Sequence, residues 1–333
     1  MIIDAHTHGM HGRSLDRISI LGGDWTKKRV DKMRARAADF PQELDAVLRA
    51  EQLERYGIDL QVVTPSVRLD ANLLPGDAAA RLALAAAIND NMARLAEEGK
   101  GKLVAAGNIP IGGFDKGSRR ELERAVGTLG LKAINLPTTI NGRPLDLPEY
   151  EPFWEVVEEM KVPVYLHPLE QPGRSYEELL DLPHIFGWPY ETTIALARMV
   201  FTGLMERHPK LRIVSHHLGG GMIPFFLGRI AESNDHTGTV AHDKIASLPK
   251  PPVDYFRLFY YDTAVGGSTE AITFCHQVLG AEQIVFATDA PHGPRNGLFR
   301  LETYPPLVQS LSLPESDREK ILSGNARRML NLA

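Results

Sequence analysis

Two histidines one residue apart stand at the start of this chain, Met1-Ile2-Ile3-Asp4-Ala5-His6-Thr7-His8. Ile2 and Ile3 begin a short apolar run, and a strand places alternate side chains on one face, so His6 and His8 project together from one strand end. Two adjacent imidazoles can hold one metal ion. Further candidate ligands close later apolar runs: His167 follows Val162 to Leu166, His216-His217 follows Leu211 to Ser215, and Asp289 follows Ile284 to Phe286. Imidazole nitrogens and a carboxylate oxygen suit Zn²⁺, or a similar divalent ion such as Mn²⁺, in a site that keeps one position open.

Positioning these groups requires strand ends that converge. Strand-like runs fall at residues 1–6, Leu60 to Val63, Lys102 to Ala106, Leu131 to Leu136, Val162 to Leu166, Leu211 to Ser215, Leu258 to Tyr261 and Ile284 to Phe286. Helix-like stretches separate them: one from near Pro41 with Leu44, Val47, Leu48 and Leu53 at helical spacing, then Asp77 to Glu98, Ser118 to Val126, Tyr150 to Met160, Glu191 to Arg207, Phe225 to Ile230 and Thr269 to Leu279. Eight strands alternating with helices predict a parallel (β/α)8 barrel, the TIM-barrel class of α/β fold, with further helices at the C-terminus. In such barrels the reactive groups gather at the C-terminal ends of the strands, where His6, His8, His167, His216, His217 and Asp289 all fall. The chain reads as one domain over 1–333, interrupted after the first strand by a polar insertion, 9–40, that carries Trp25 and the basic run Lys27-Lys28-Arg29 and is placed to act as a lid.

Composition narrows the function classes. Of 333 residues 43% are hydrophobic and 24% charged, and the formal charge of −5 gives no reason to expect nucleic acid or an anionic membrane as partner. A single cysteine, Cys275, excludes an internal disulfide and fits a reducing compartment. With no basic-then-apolar leader and no apolar run of about 18 residues, a cytoplasmic protein is expected.

The strand ends Asp4-Ala5-His6-Thr7-His8, Tyr165-Leu166-His167-Pro168, Ile213-Val214-Ser215-His216-His217 and Ala287-Thr288-Asp289 resemble the motifs of the amidohydrolase superfamily. Glu191-Thr192-Thr193, Arg198-Met199-Val200-Phe201, Pro224 to Ile230 and Gly324 to Leu330 are similar to its branch of aminocarboxymuconate-semialdehyde decarboxylase and related aromatic acid decarboxylases. The resemblance implies that His6, His8, His167 and Asp289 hold one metal ion and that His217 acts in proton transfer with Asp289. His216, adjacent to it, is not distinguished by the motif. Binuclear relatives use a lysine at the end of strand four, but here that end reads Ile134-Asn135-Leu136 and Lys132 comes too early. The branch also implies that Arg229 reaches a substrate carboxylate across a subunit interface and that Arg49 is a second such cation, which makes the active unit a homodimer or a higher oligomer.

The activity so implied is non-oxidative decarboxylation of an aromatic or unsaturated carboxylic acid. Hydrolysis of a lactone, ester or amide, or hydration, by water that the ion activates is the alternative that the same residues serve. Three further positions are noted: His292 at the predicted barrel mouth, Glu170 three residues after His167, and Asp262, placed to orient a ligand through a hydrogen bond.

Overall fold

The computed structural model describes residues 1–169, 182–219, 222–233, 245 and 247–332. Eight parallel strands follow one another around a single sheet in sequence order. They are β1 (Ile3–His8), β2 (Leu60–Thr64), β3 (Leu103–Gly107), β4 (Ala133–Pro137), β5 (Val164–His167), β6 (Ile213–Ser215), β7 (Tyr260–Asp262) and β8 (Ile284–Val285). The extended chain after β8 closes the barrel onto β1, with Ala5 N–H donating to Phe286 O (2.7 Å), Asp289 N–H to His6 O (3.0 Å) and His8 N–H to Ala290 O (2.7 Å). Each expected strand is present, with ends shifted by a few residues.

Period-two alternation decides which side chains face the axis. Ile3, Ala5, Val62, Ala106, Ala133, Tyr165, Val214, Tyr260 and Val285 form one buried cluster inside the barrel, with Met329 and Leu330 packed against it. Two residues further along their strands, the same inward face presents His167, His216 and Asp262. In β1 a bulge between Asp4 and Thr7 adds one residue relative to β2. The extra residue resets the parity, so Ile3 and Ala5 serve the core while His6 and His8 join the layer above.

Helices cover the outside through a second, larger core. The insertion proves helical: α1 (Leu15–Leu21) and α2 (Gly23–Asp39) meet at Gly23, where φ is +56°, and α2 buries Thr26, Val30 and Met33 at helical spacing. Its root is clamped to α4 (Ala78–Glu98) by Asn91, which accepts from His11 N–H (2.9 Å) and donates to His11 O (2.7 Å). In α3 (Ala46–Arg55), capped by Asp45, the buried face is Ala46, Arg49, Gln52 and Leu53. Val47 and Leu48, expected on that face, are more than a third exposed. The single helix expected over Glu191 to Arg207 is two, Trp188–Phe201 and Leu204–Arg207, because Gly203 takes φ +76° between them. Among the described residues no helix is long and apolar enough to cross a membrane.

Candidate active site

Of the three histidines at the ends of β1 and β5, His8 and His167 share one tautomer, and their partners explain why. His167 Nδ1 lies 2.7 Å from Pro168 O, which can only accept, so Nδ1 carries the proton. Thr64 donates its hydroxyl to Thr7 O (3.0 Å), leaving its oxygen to accept from His8 Nδ1 (3.0 Å). His6 Nδ1 stands 3.2 Å from Asp262 Oδ2. His8 and His167 are thereby each left with a lone pair on Nε2, and both nitrogens of buried His6 are without a hydrogen-bond partner. Burial, reinforced by His216 for His6 and by His8 for His167, pushes both pKa values well down and keeps these rings neutral, as ligation requires.

Ligating atoms of His6, His8 and His167 lie within 4.8 Å of one another. Asp289 Oδ1 comes 3.2 Å from His8 Nε2, yet both atoms are buried and neither has a hydrogen-bond partner. Two lone-pair atoms that close repel unless a cation lies between them. Ligands about 2.1 Å from a shared tetrahedral ion are themselves about 3.4 Å apart, so these residues fit a divalent metal.

The backbone bends sharply to make the site. Asp289, His217 and Leu218 all take left-handed conformations, with φ of +60°, +57° and +52°. Such strain in residues other than glycine gathers at functional positions. It turns His217 out of the barrel to line a cavity of about 1080 Å³, with Nε2 3.9 Å from Asp289 Oδ2. Burial works against ionisation of Asp289, but the adjacent imidazoles of His217 and His8 outweigh it and hold its carboxyl well below the usual range. Burial likewise opposes a charge on His217, and the contact with Asp289 overcomes it and raises the imidazole's pKa.

Residues 3–332 match the family described as amidohydrolase. The chain belongs to that family. It is 32% identical over 293 residues to the 2-amino-3-carboxymuconate-6-semialdehyde decarboxylase of Dictyostelium discoideum, covering 86% of this chain and 77% of that protein. A gamma-resorcylate decarboxylase of Rhizobium sp. is 29% identical, with 85% and 86% covered. The crystal structure of a 2,6-dihydroxybenzoate decarboxylase with 2,6-dihydroxybenzoate superimposes with a TM-score of 0.79 at 25% identity over 99% of both chains.

In this amidohydrolase the remaining expected residues divide. His216, neighbour of His217, points the other way: it is wholly buried, its ring stacks on His6 with centroids 3.5 Å apart, and its Nδ1 lies 2.8 Å from Asp262 Oδ2. His292 lines the cavity 5.0 Å from the His8 ring, and burial lowers its pKa to about 4. Arg49 requires a correction. It is 3% exposed behind β1, absent from the cavity lining, and its guanidinium is spent on Gln61 Oε1 (2.6 Å), His8 O (2.8 Å) and Thr7 Oγ1 (2.8 Å). It braces the strand that carries the histidines and is not positioned to meet a substrate. Arg229 is exposed on the helix Met222–Glu232 and does not line this chain's own cavity. Glu170 lies outside the described residues.

Sequence reasoning missed two features. Part of the cavity wall comes from α2, through Trp25, Arg29, Lys32, Met33 and Arg36. Arg29 lies over the Trp25 ring, 4.1 Å from its centroid, and Arg36 pairs through both arms with buried Glu43. The signal available was the helical spacing of these cations within an insertion already suspected of covering the site. Arg300 also lines the cavity and donates from Nη1 to Asp289 Oδ2 at 2.9 Å. No motif marks it.

Proposed function

We propose that this amidohydrolase is a metal-dependent, non-oxidative decarboxylase of an aromatic or unsaturated carboxylic acid, with His6, His8, His167 and Asp289 holding one divalent ion, Zn²⁺ before Mn²⁺. The observation that carries the metal is the convergence of the His6, His8 and His167 ring nitrogens, with Asp289 Oδ1 3.2 Å from His8 Nε2 and neither of those two atoms hydrogen-bonded. Decarboxylation rather than hydrolysis is supported by the relatives, which are decarboxylases of an unsaturated and of aromatic acids. Bound in this site, the ion supplies charge that fixes and polarises substrate oxygens.

The chain's own groups account for the proton. His217, facing Asp289 Oδ2, delivers a proton from Nε2 to the carbon that bears the carboxylate, and Asp289 orients the ring and stabilises its charged form. The carbon–carbon bond then breaks, its electron pair restores the unsaturated system, and CO₂ leaves in place of the proton gained. Trp25 and Met33 from the insertion put apolar surface over a planar ring, and we read residues 9–40 as a lid that limits water at the site.

A homodimer is part of the same reading. Phe225 is 71% exposed beside Arg229, and Ile185, Phe186, Tyr190 and Ile194 are exposed near the cavity mouth, an apolar surface that a second copy would cover while bringing its Arg229 to the neighbouring site. A cytoplasmic location is supported by the one cysteine in the sequence, buried and unpaired. The test is CO₂ release by metal-loaded protein from hydroxybenzoates and muconate-type acids, with Asp289→Asn as control. Release that the substitution abolishes is the expected result; silence across the acids with metal bound would shift the assignment to a hydrolase.

A further inference from the structure

Recognition of a carboxylate calls for a cation, and arginine's planar fork is the best suited. Of the arginines that line the cavity, Arg36 has both arms on Glu43, Arg29 is tied to Trp25 through its carbonyl (2.6 Å) and its ring, and Arg68 is not without a partner either. Arg49 faces away and is fully engaged. Arg300 differs on three counts. Among the described residues it is the arginine that touches the metal-site carboxylate, through Nη1 to Asp289 Oδ2 (2.9 Å), and the same Nη1 also donates to Thr288 O (3.2 Å). Its Nε is buried without a partner, and among the described residues its Nη2 makes no hydrogen bond. Its side chain, 17% exposed, lines the cavity.

A guanidinium with only one nitrogen engaged is costly to keep in a buried place, since unpaired buried donors lose their hydration without return. The fold nevertheless makes room for it. Gly293, at φ +91°, would place a Cβ 2.4 Å from Arg300 Nε, so any other residue there displaces the fork. A divalent ion on three neutral imidazoles and one carboxylate, with Arg300 alongside, leaves this corner positively charged and in need of an anion.

We propose that Arg300 is the substrate-binding residue for the carboxylate, acting within its own chain: Nη1 holds Asp289, and the unpartnered side of the fork donates to a carboxylate oxygen of the acid. The inference rests on the decarboxylase reading and supplies the cation that Arg49 does not. It places the carboxylate beside Asp289 and His217, within reach of the proton.

Calorimetric titration of metal-loaded protein with 2,6-dihydroxybenzoate and with resorcinol, the same ring without the carboxylate, tests it. Arg300→Gln should weaken the acid about 10- to 100-fold, the range of a charge-assisted hydrogen bond, and change resorcinol by less than about twofold, with metal content intact. Arg300→Lys, which keeps charge and loses the fork, should fall between, and Gly293→Ala should weaken the acid selectively without touching a charge. Acid affinity that is unchanged, or acid and resorcinol weakened equally, overturns the proposal, the latter because Arg300 would then act only through Asp289. Wild-type protein that discriminates acid from resorcinol through Arg300 yet releases no CO₂ would overturn the decarboxylase reading and leave the carboxylate site standing.

Discussion

Asp262 and Asp289 lie at the ends of neighbouring strands, each buried and each facing histidines, yet their surroundings differ in kind. Asp262 is wholly buried and spends both oxygens inside the barrel, Oδ2 on His216 Nδ1 (2.8 Å) and near His6 Nδ1 (3.2 Å), Oδ1 on the backbone N–H groups of His217 (2.8 Å) and Ala264 (3.0 Å). Asp289 faces the cavity, keeps Oδ1 without a hydrogen bond, and meets His8, His217 and Arg300. Burial raises the cost of charge at both, and imidazole contacts overcome it at both. What separates them is completeness. A carboxylate whose lone pairs are all used can only hold neighbours in place, whereas one with an oxygen left over can bind an ion or follow a proton.

The largest effect should come from the incomplete corner. Asp289→Asn should lower kcat about 10⁴-fold even where metal content is restored, read by CO₂ release per bound ion. His217→Asn, which removes only the proton carrier, should cost about 10²- to 10³-fold in kcat with metal content unchanged. In the complete corner, Asp262→Asn should weaken metal binding about 10- to 100-fold, as loss of a partner that orients a ligating histidine does, and excess metal should recover most of the turnover.

A third buried carboxylate sharpens the contrast. Asp70 accepts from Asn72 N–H (2.8 Å), Asn72 Nδ2 (2.8 Å) and Asn108 Nδ2 (2.6 Å) but pairs with no cation among the described residues, and burial pushes its pKa up to about 7 from 3.8. Neutral donors alone do not offset desolvation here; imidazoles at Asp262 and Asp289 do. Between about pH 4 and 7 the folded state therefore binds this proton more tightly than the unfolded chain, so its contribution to stability declines as pH rises through that window. Thermal unfolding across that range should show wild-type Tm falling relative to Asp70→Asn, and a constant difference between the two would contradict the assignment.

The corner that the sequence disclosed best is the one built from strand ends. Period-two alternation and apolar runs are local signals, so His6, His8, His167, His216, His217 and Asp289 could be gathered at one end of the barrel from spacing and fold class, while the choice of four of them as ligands came from the family resemblance. The bulge in β1 left no such mark, because it depends on pairing with β2. His216 and His217 could not be told apart, since a left-handed turn at His217 sends consecutive side chains in opposite directions. Arg49 was misread for a different reason. It occupies a core position of α3, three residues after Ala46 and four before Leu53, and that periodicity, which buries it away from substrate, was given less weight than the family resemblance that made it a substrate cation. Arg300 returns to Asp289 from the helix Leu298–Gln309, a tertiary contact with no period to betray it.

Metal titration of Asp262→Asn and Asp289→Asn side by side, following bound metal and CO₂ release together, tests the division between the two corners most directly. The account predicts that Asp262→Asn binds metal weakly but turns over near the wild-type rate once loaded, while Asp289→Asn stays inactive at full loading. Recovery of Asp289→Asn on loading, or an Asp262→Asn protein that remains inert with metal bound, would contradict it.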